Sequence, residues 1–112
     1  MKASVPRVLS EKNLTLAELR ELLEKVEQTR ELTGLERYTV EYARKFAKIE
    51  DPAKSRRVVE ELMKTFDFPE DIAVQLVNIK PRDPGEVRLV LSPLNKLFSE
   101  EDYRRIIEMV NE

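Results

Sequence analysis

Apolar residues in this chain recur mostly at helical spacing, and the polar residues between them supply starts and stops. The most apolar stretch is Ile72 to Leu97, IAVQLVNIKPRDPGEVRLVLSPLNKL. Its first run, Ile72 to Ile79, is stopped by Pro81. A second start follows at once: Asp83 caps, Pro84 suits the first helical position, and Glu86 sits three residues after the cap. Val87, Val90 and Leu91 carry the new run until Pro93 ends it. The pattern predicts two short helices joined by a turn of about four residues, a hairpin against which the other helices pack.

Further helix starts flank it. Thr15 and Glu18 have capping-box spacing, and Leu14 with Leu19 suits a hydrophobic staple. Leu16, Leu19, Leu22, Leu23 and Val26 then mark one face of a helix predicted to run to about Glu31. Thr33 and Glu36 repeat the capping spacing. The helix they open carries Tyr38, Tyr42, Phe46 and Ile49 on one stripe. That stripe reads first as core, with an aromatic platform for RNA bases as the alternative. Asp51 and Pro52 start a helix bearing Val58, Val59, Leu62, Met63 and Phe66. Pro69, Glu70 and Asp71 open the hairpin. Ser99 caps a last helix, with Asp102 three residues on, a Phe98–Tyr103 staple, and Ile106, Ile107 and Val110 on its apolar face.

Residues 1–12 stand apart. Val5, Val8 and Leu9 are apolar, but Pro6 argues against a helix. A frayed terminus and an extended arm that adds to another chain's sheet edge both remain open. The expected organisation is an N-terminal arm over 1–12 and one helical domain over 13–112, an all-α fold of about six helices.

Composition narrows the chemistry. The 112 residues contain no His and no Cys. Disulfides, thiol nucleophiles, Cys-based zinc sites and Ser-His-Asp or Cys-His mechanisms are thereby excluded. There is no Gly-rich phosphate loop, Walker-type Lys or EF-hand loop. The carboxylates are scattered along helix surfaces, so the expectation is a chain that is not an enzyme on its own and needs no cofactor. Charged residues make up 38%, yet the net charge is only −2. That balance does not announce a nucleic-acid binder. One local excess stands out between Glu36 and Arg57, where Arg44, Lys45, Lys48, Arg56 and Arg57 are candidates for RNA contact, against the plainer reading of a solvated helix surface. The Glu, Lys and Arg content also fits a protein from a hot environment. No apolar run approaches a membrane span or a signal peptide, so a cytoplasmic location is expected.

The hairpin residues carry a family resemblance. Leu76-x-Asn78-x-x-Pro81, then Asp83-Pro84-x-Glu86, then Leu91-Ser92-Pro93-Leu94, followed by a capped helix from Ser99 to Glu112, resembles the C-terminal half of the F subunit of archaeal RNA polymerase. That family is the counterpart of the fourth subunit of eukaryotic RNA polymerase II. The resemblance implies a fold related to the helicase-and-RNaseD C-terminal (HRDC) domain. It implies a heterodimer with the E subunit of the same polymerase, and through it with the polymerase core, forming a stalk beside the RNA exit channel. There it would assist open-complex formation and processive elongation and contact nascent RNA weakly. On this expectation Val5, Val8, Leu9, Leu76, Asn78, Ile79, Pro81, Glu86, Leu91 and Pro93 face the E subunit. The rivals are a free-standing HRDC-like nucleic-acid-binding domain and a helical adaptor with no role in transcription.

Overall fold

The computed structural model describes residues 13–112. They form six α-helices: α1 Leu16–Glu27, α2 Gly34–Phe46, α3 Pro52–Phe66, α4 Glu70–Ile79, α5 Pro84–Leu91 and α6 Glu100–Asn111. A 3₁₀ turn, Ser92–Leu94, extends α5. There is no strand among the described residues, as the helical periodicity predicts.

Local chemistry sets most boundaries. Complete capping boxes start α1 at Thr15 with Glu18, α2 at Thr33 with Glu36, and α6 at Ser99 with Asp102. Each satisfies two donors that the first helical turn leaves without partners. Asp51 and Asp83 cap α3 and α5, with proline following each. α3, α4 and the 3₁₀ turn end on left-handed Asp67, Lys80 and Asn95. That conformation turns the chain sharply enough to stack the next element back on the last. The first helix is shorter than its pattern suggests. It ends at Glu27, and Gln28, Thr29 and Arg30 wrap in a tighter turn on the Lys25 and Val26 carbonyls. The wrap brings Leu32 back under α1 and α2, where it is buried.

Two apolar clusters result. The larger joins α3, α4, α5 and α6, with Leu62, Leu76, Val87 and Ile106 fully buried. The hairpin of α4 and α5 supplies Ile72, Ala73, Val74, Leu76, Val77, Val87, Val90 and Leu91 to it. Asn111 Nδ2 donates to the Pro81 carbonyl at 2.8 Å, tying the end of α6 to the hairpin turn. Phe98 and Tyr103 meet with ring centroids 6.4 Å apart, as the staple requires. The smaller cluster is Leu23, Leu32 and Val40, with Leu19 and Val26 against it. It fills the α1–α2 pair.

Polar groups hold the pair to the rest. Glu18 N–H donates to Thr15 Oγ1, and Thr15 Oγ1 lies 2.8 Å from Ser55 Oγ. Ser55 Oγ spends its one proton on the Pro52 carbonyl, so the Thr15 hydroxyl is the donor between them. Both side chains are buried, and this relay satisfies them. Asn78 Oδ1 accepts from Leu16 N–H at 3.0 Å, a donor at the start of α1 that the capping box does not reach.

Candidate partner-binding surface

The aromatic stripe of α2 departs from expectation. Ile49 is buried, but Tyr38, Tyr42 and Phe46 are 68%, 46% and 44% exposed, beside exposed Leu35. The face of α2 that meets α1 carries Val40 and Ala43 instead. Both faces repeat at helical spacing, so periodicity cannot choose between them. The small side chains go inward because they let two helix backbones approach closely. The rings then pack on one another along the outside: Tyr38 on Tyr42 at 6.4 Å and Tyr42 on Phe46 at 4.7 Å. Lys45 Nζ sits 5.6 Å from the Phe46 ring centre.

The residues expected to face the E subunit divide. Val5, Val8 and Leu9, and the arm over 1–12, lie outside the described residues. Leu76 is 0% exposed, and Leu91 and Pro81 are buried, so these three hold the hairpin together from inside. Asn78 is occupied as the cap on Leu16. Glu86 Oε1 accepts from Arg82 N–H at 2.8 Å. Ile79, Glu86 and Pro93 are exposed. Leu89 on α5 and Leu97 in the loop beyond it are exposed as well, although the family pattern does not single them out. Leu89 falls outside the apolar stripe of α5, and that offset is the signal in the sequence that marks it as surface.

The five candidate RNA cations divide too. Arg56 binds Glu18 through Nε and Nη2 at 2.9 and 2.7 Å, Glu70 through Nη1 at 2.7 Å, and the Asn13 carbonyl at 2.7 Å. Its pKa is raised, first by the hydrogen bond to Glu18. Arg44 pairs with Glu24, Glu27 and Glu41. Lys45, Lys48 and Arg57 make no ion pair among the described residues. A local count of charges misses this because most of the carboxylates come from other helices.

At the start of α2, the Arg30 guanidinium forks onto Glu36 at 2.9 and 2.8 Å. With the Thr33 backbone N–H it holds the Glu36 carboxyl at about 2, against an ordinary 4.5. A depressed carboxyl stabilises the fold fully above its unfolded value and loses that contribution as pH falls from 4.5 through 2. Carbon-13 titration of Glu36 is therefore expected to show a midpoint near 2, moving up in Arg30→Ala; an ordinary midpoint would contradict the pairing.

No group of three or more acidic side chains is arranged to hold a metal among the described residues, and no described helix is long and apolar enough to cross a membrane. What the surface offers is apolar side chains and unpaired cations, suited to binding. A family comparison narrows the readings: the RNA polymerase Rpb4 family matches residues 13–112, through all six helices. The chain belongs to the RNA polymerase Rpb4 family. Membership makes it a non-catalytic subunit associated with an RNA polymerase complex. No curated protein matches this Rpb4-family chain closely enough to add to that assignment.

Proposed function

We propose that the chain is an archaeal-type F subunit, an HRDC-like helical domain over 13–112 with a partner-binding arm over 1–12. It forms the polymerase stalk with the E subunit beside the RNA exit channel and supports open-complex formation, RNA contact and processive transcription. The family match through all six helices carries this reading. The exposed Leu89 and Leu97, with Pro93 between them, supply the apolar surface that a permanent partner covers. Leu76, Pro81 and Leu91 serve the same interface indirectly, by fixing the hairpin that presents it.

Deleting residues 1–10 is expected to weaken co-purification of the E subunit. Unchanged affinity would remove the arm from the interface. The RNA contact falls to Lys45, Lys48 and Arg57, because Arg44 and Arg56 are neutralised by carboxylates. Three cations on single-stranded RNA correspond to a log–log salt slope of about −2. Replacing all three with Ala should flatten the salt dependence of RNA crosslinking to the heterodimer; a persisting crosslink assigns the contact to the stalk partner. One rival is a free-standing nucleic-acid-binding domain. That rival requires RNA binding by the isolated chain and no polymerase in a pull-down from the native source.

A further inference from the structure

The outer face of α2 carries four exposed apolar side chains. Leu35, Tyr38, Tyr42 and Phe46 are spaced three, four and four residues apart, so they form one ridge of about three turns, roughly 17 Å long. α2 rests mainly on α1, through its opposite side. The rings already pack on one another, so little side-chain freedom remains to be lost on binding. Exposed aromatic anchors of this kind carry much of the energy of protein interfaces.

Charge gives the ridge a direction. Beyond Phe46 the chain enters a groove lined by Ala47, Lys48, Glu50, Ile79, Lys80 and Arg82. Glu86 also borders it, with one oxygen taken by the Arg82 N–H. Lys48, Lys80 and Arg82 make no ion pair among the described residues. With Lys45 they outnumber the two carboxylates. At the other end of the ridge, Glu36 is closed off by Arg30. One end is therefore positive and the other neutral.

We propose that this face docks an amphipathic α-helix of another protein, lying parallel to α2, with an acid-rich carboxyl end over Lys48, Lys80 and Arg82. An apolar stripe at helical spacing would meet the ridge, as in helix-in-groove recognition. The negative end of its macrodipole, with its acidic side chains, would meet the cations. Single-stranded RNA suits the ridge less well. Tyr42 and Phe46 are closed against each other rather than splayed to admit a base, Arg44 is held by three carboxylates, and Arg37 Nη2 donates to the Leu32 carbonyl. The proposal goes beyond the heterodimer, whose interface is assigned to Leu89, Pro93, Leu97 and the arm; Ile79 and Glu86, expected to face the E subunit, border this groove instead. Lys45 and Lys48 serve both this reading and the RNA contact; Lys80 and Arg82 serve only this one.

The test uses the full chain and three probes: a synthetic amphipathic leucine-striped peptide ending in glutamates, the same peptide ending in lysines, and oligouridine. The glutamate peptide is expected to bind at least ~10-fold more tightly than the lysine peptide. The Tyr38→Ala/Tyr42→Ala variant should lose ~10-fold or more while keeping its melting temperature and its co-purification with the polymerase. Lys80→Glu/Arg82→Glu should reverse the order of the two peptides, a gain that misfolding cannot produce. Equal binding of both peptides, or no reversal, overturns the proposal. So does oligouridine binding that the tyrosine variant abolishes, which would assign the ridge to RNA.

Discussion

Leu76→Ala is expected to destabilise the chain by about 3–4 kcal/mol, one of the two largest losses predicted for a single substitution here. Leu76 is fully buried at the centre of the larger cluster, in the middle of α4. Truncation removes apolar contacts and leaves a cavity. The surrounding helices cannot close it without breaking the turn fixed by Pro81 and the Asn111 hydrogen bond. Urea unfolding followed by circular dichroism measures the loss directly. Tyr42→Ala, on the outer ridge, is the control and should shift stability by no more than about 0.5 kcal/mol. The contrast distinguishes two roles that the sequence pattern merges. Truncating a residue that faces a partner subunit would weaken binding to that subunit and leave the isolated chain's stability intact. A loss below about 1 kcal/mol for Leu76→Ala would put that residue back at the interface.

What the sequence reveals about this chain follows the range of each interaction. The capping boxes at Thr15, Thr33 and Ser99 involve residues three apart, so each is written in one short string. The prolines at 52, 81 and 84 act on their own backbone, and they mark boundaries equally plainly. The buried set of α4 and α5 is legible because that hairpin is the least polar part of the chain. Three features are not. α2 has two apolar faces, and only the position of α1 decides which is inside. Asn78 looks like a surface residue of a helix end until Leu16, 62 residues away, supplies its donor. Arg56 sits in a run of cations, but its partners Glu18 and Glu70 lie 38 and 14 residues off. Each of these depends on which helices become neighbours. Asn78 and Arg56, named for partner and RNA contact, join helices here, whereas the α2 stripe read first as core lies on the outside.

Arg56 is the clearest such case, and Arg56→Met should cost about 2–3 kcal/mol. Methionine keeps most of the apolar stem, so the change isolates the guanidinium. That group makes four hydrogen bonds, to Glu18 twice, to Glu70 and to the Asn13 carbonyl, and only 14% of the side chain is exposed. Its removal leaves two half-buried carboxylates facing each other across the junction of α1, α3 and α4. The penalty comes from that uncompensated charge more than from any attraction lost. A double variant, Glu18→Gln/Arg56→Met, should therefore recover part of the loss, and strictly additive costs would show that the two side chains act separately. Acid offers a second check. Burial pushes the Glu70 carboxyl up, but Arg56 and the Asn13 N–H outweigh it and hold it below its ordinary value. Stability from Glu70 is thus present at neutral pH and declines as pH falls through the carboxylate range. In Arg56→Met burial acts with much less opposition, so that decline should shrink or reverse sign. Unfolding free energies at neutral and acid pH, for both proteins, measure the difference. An unchanged pH dependence would mean that Glu70 owes its low pKa to something other than Arg56.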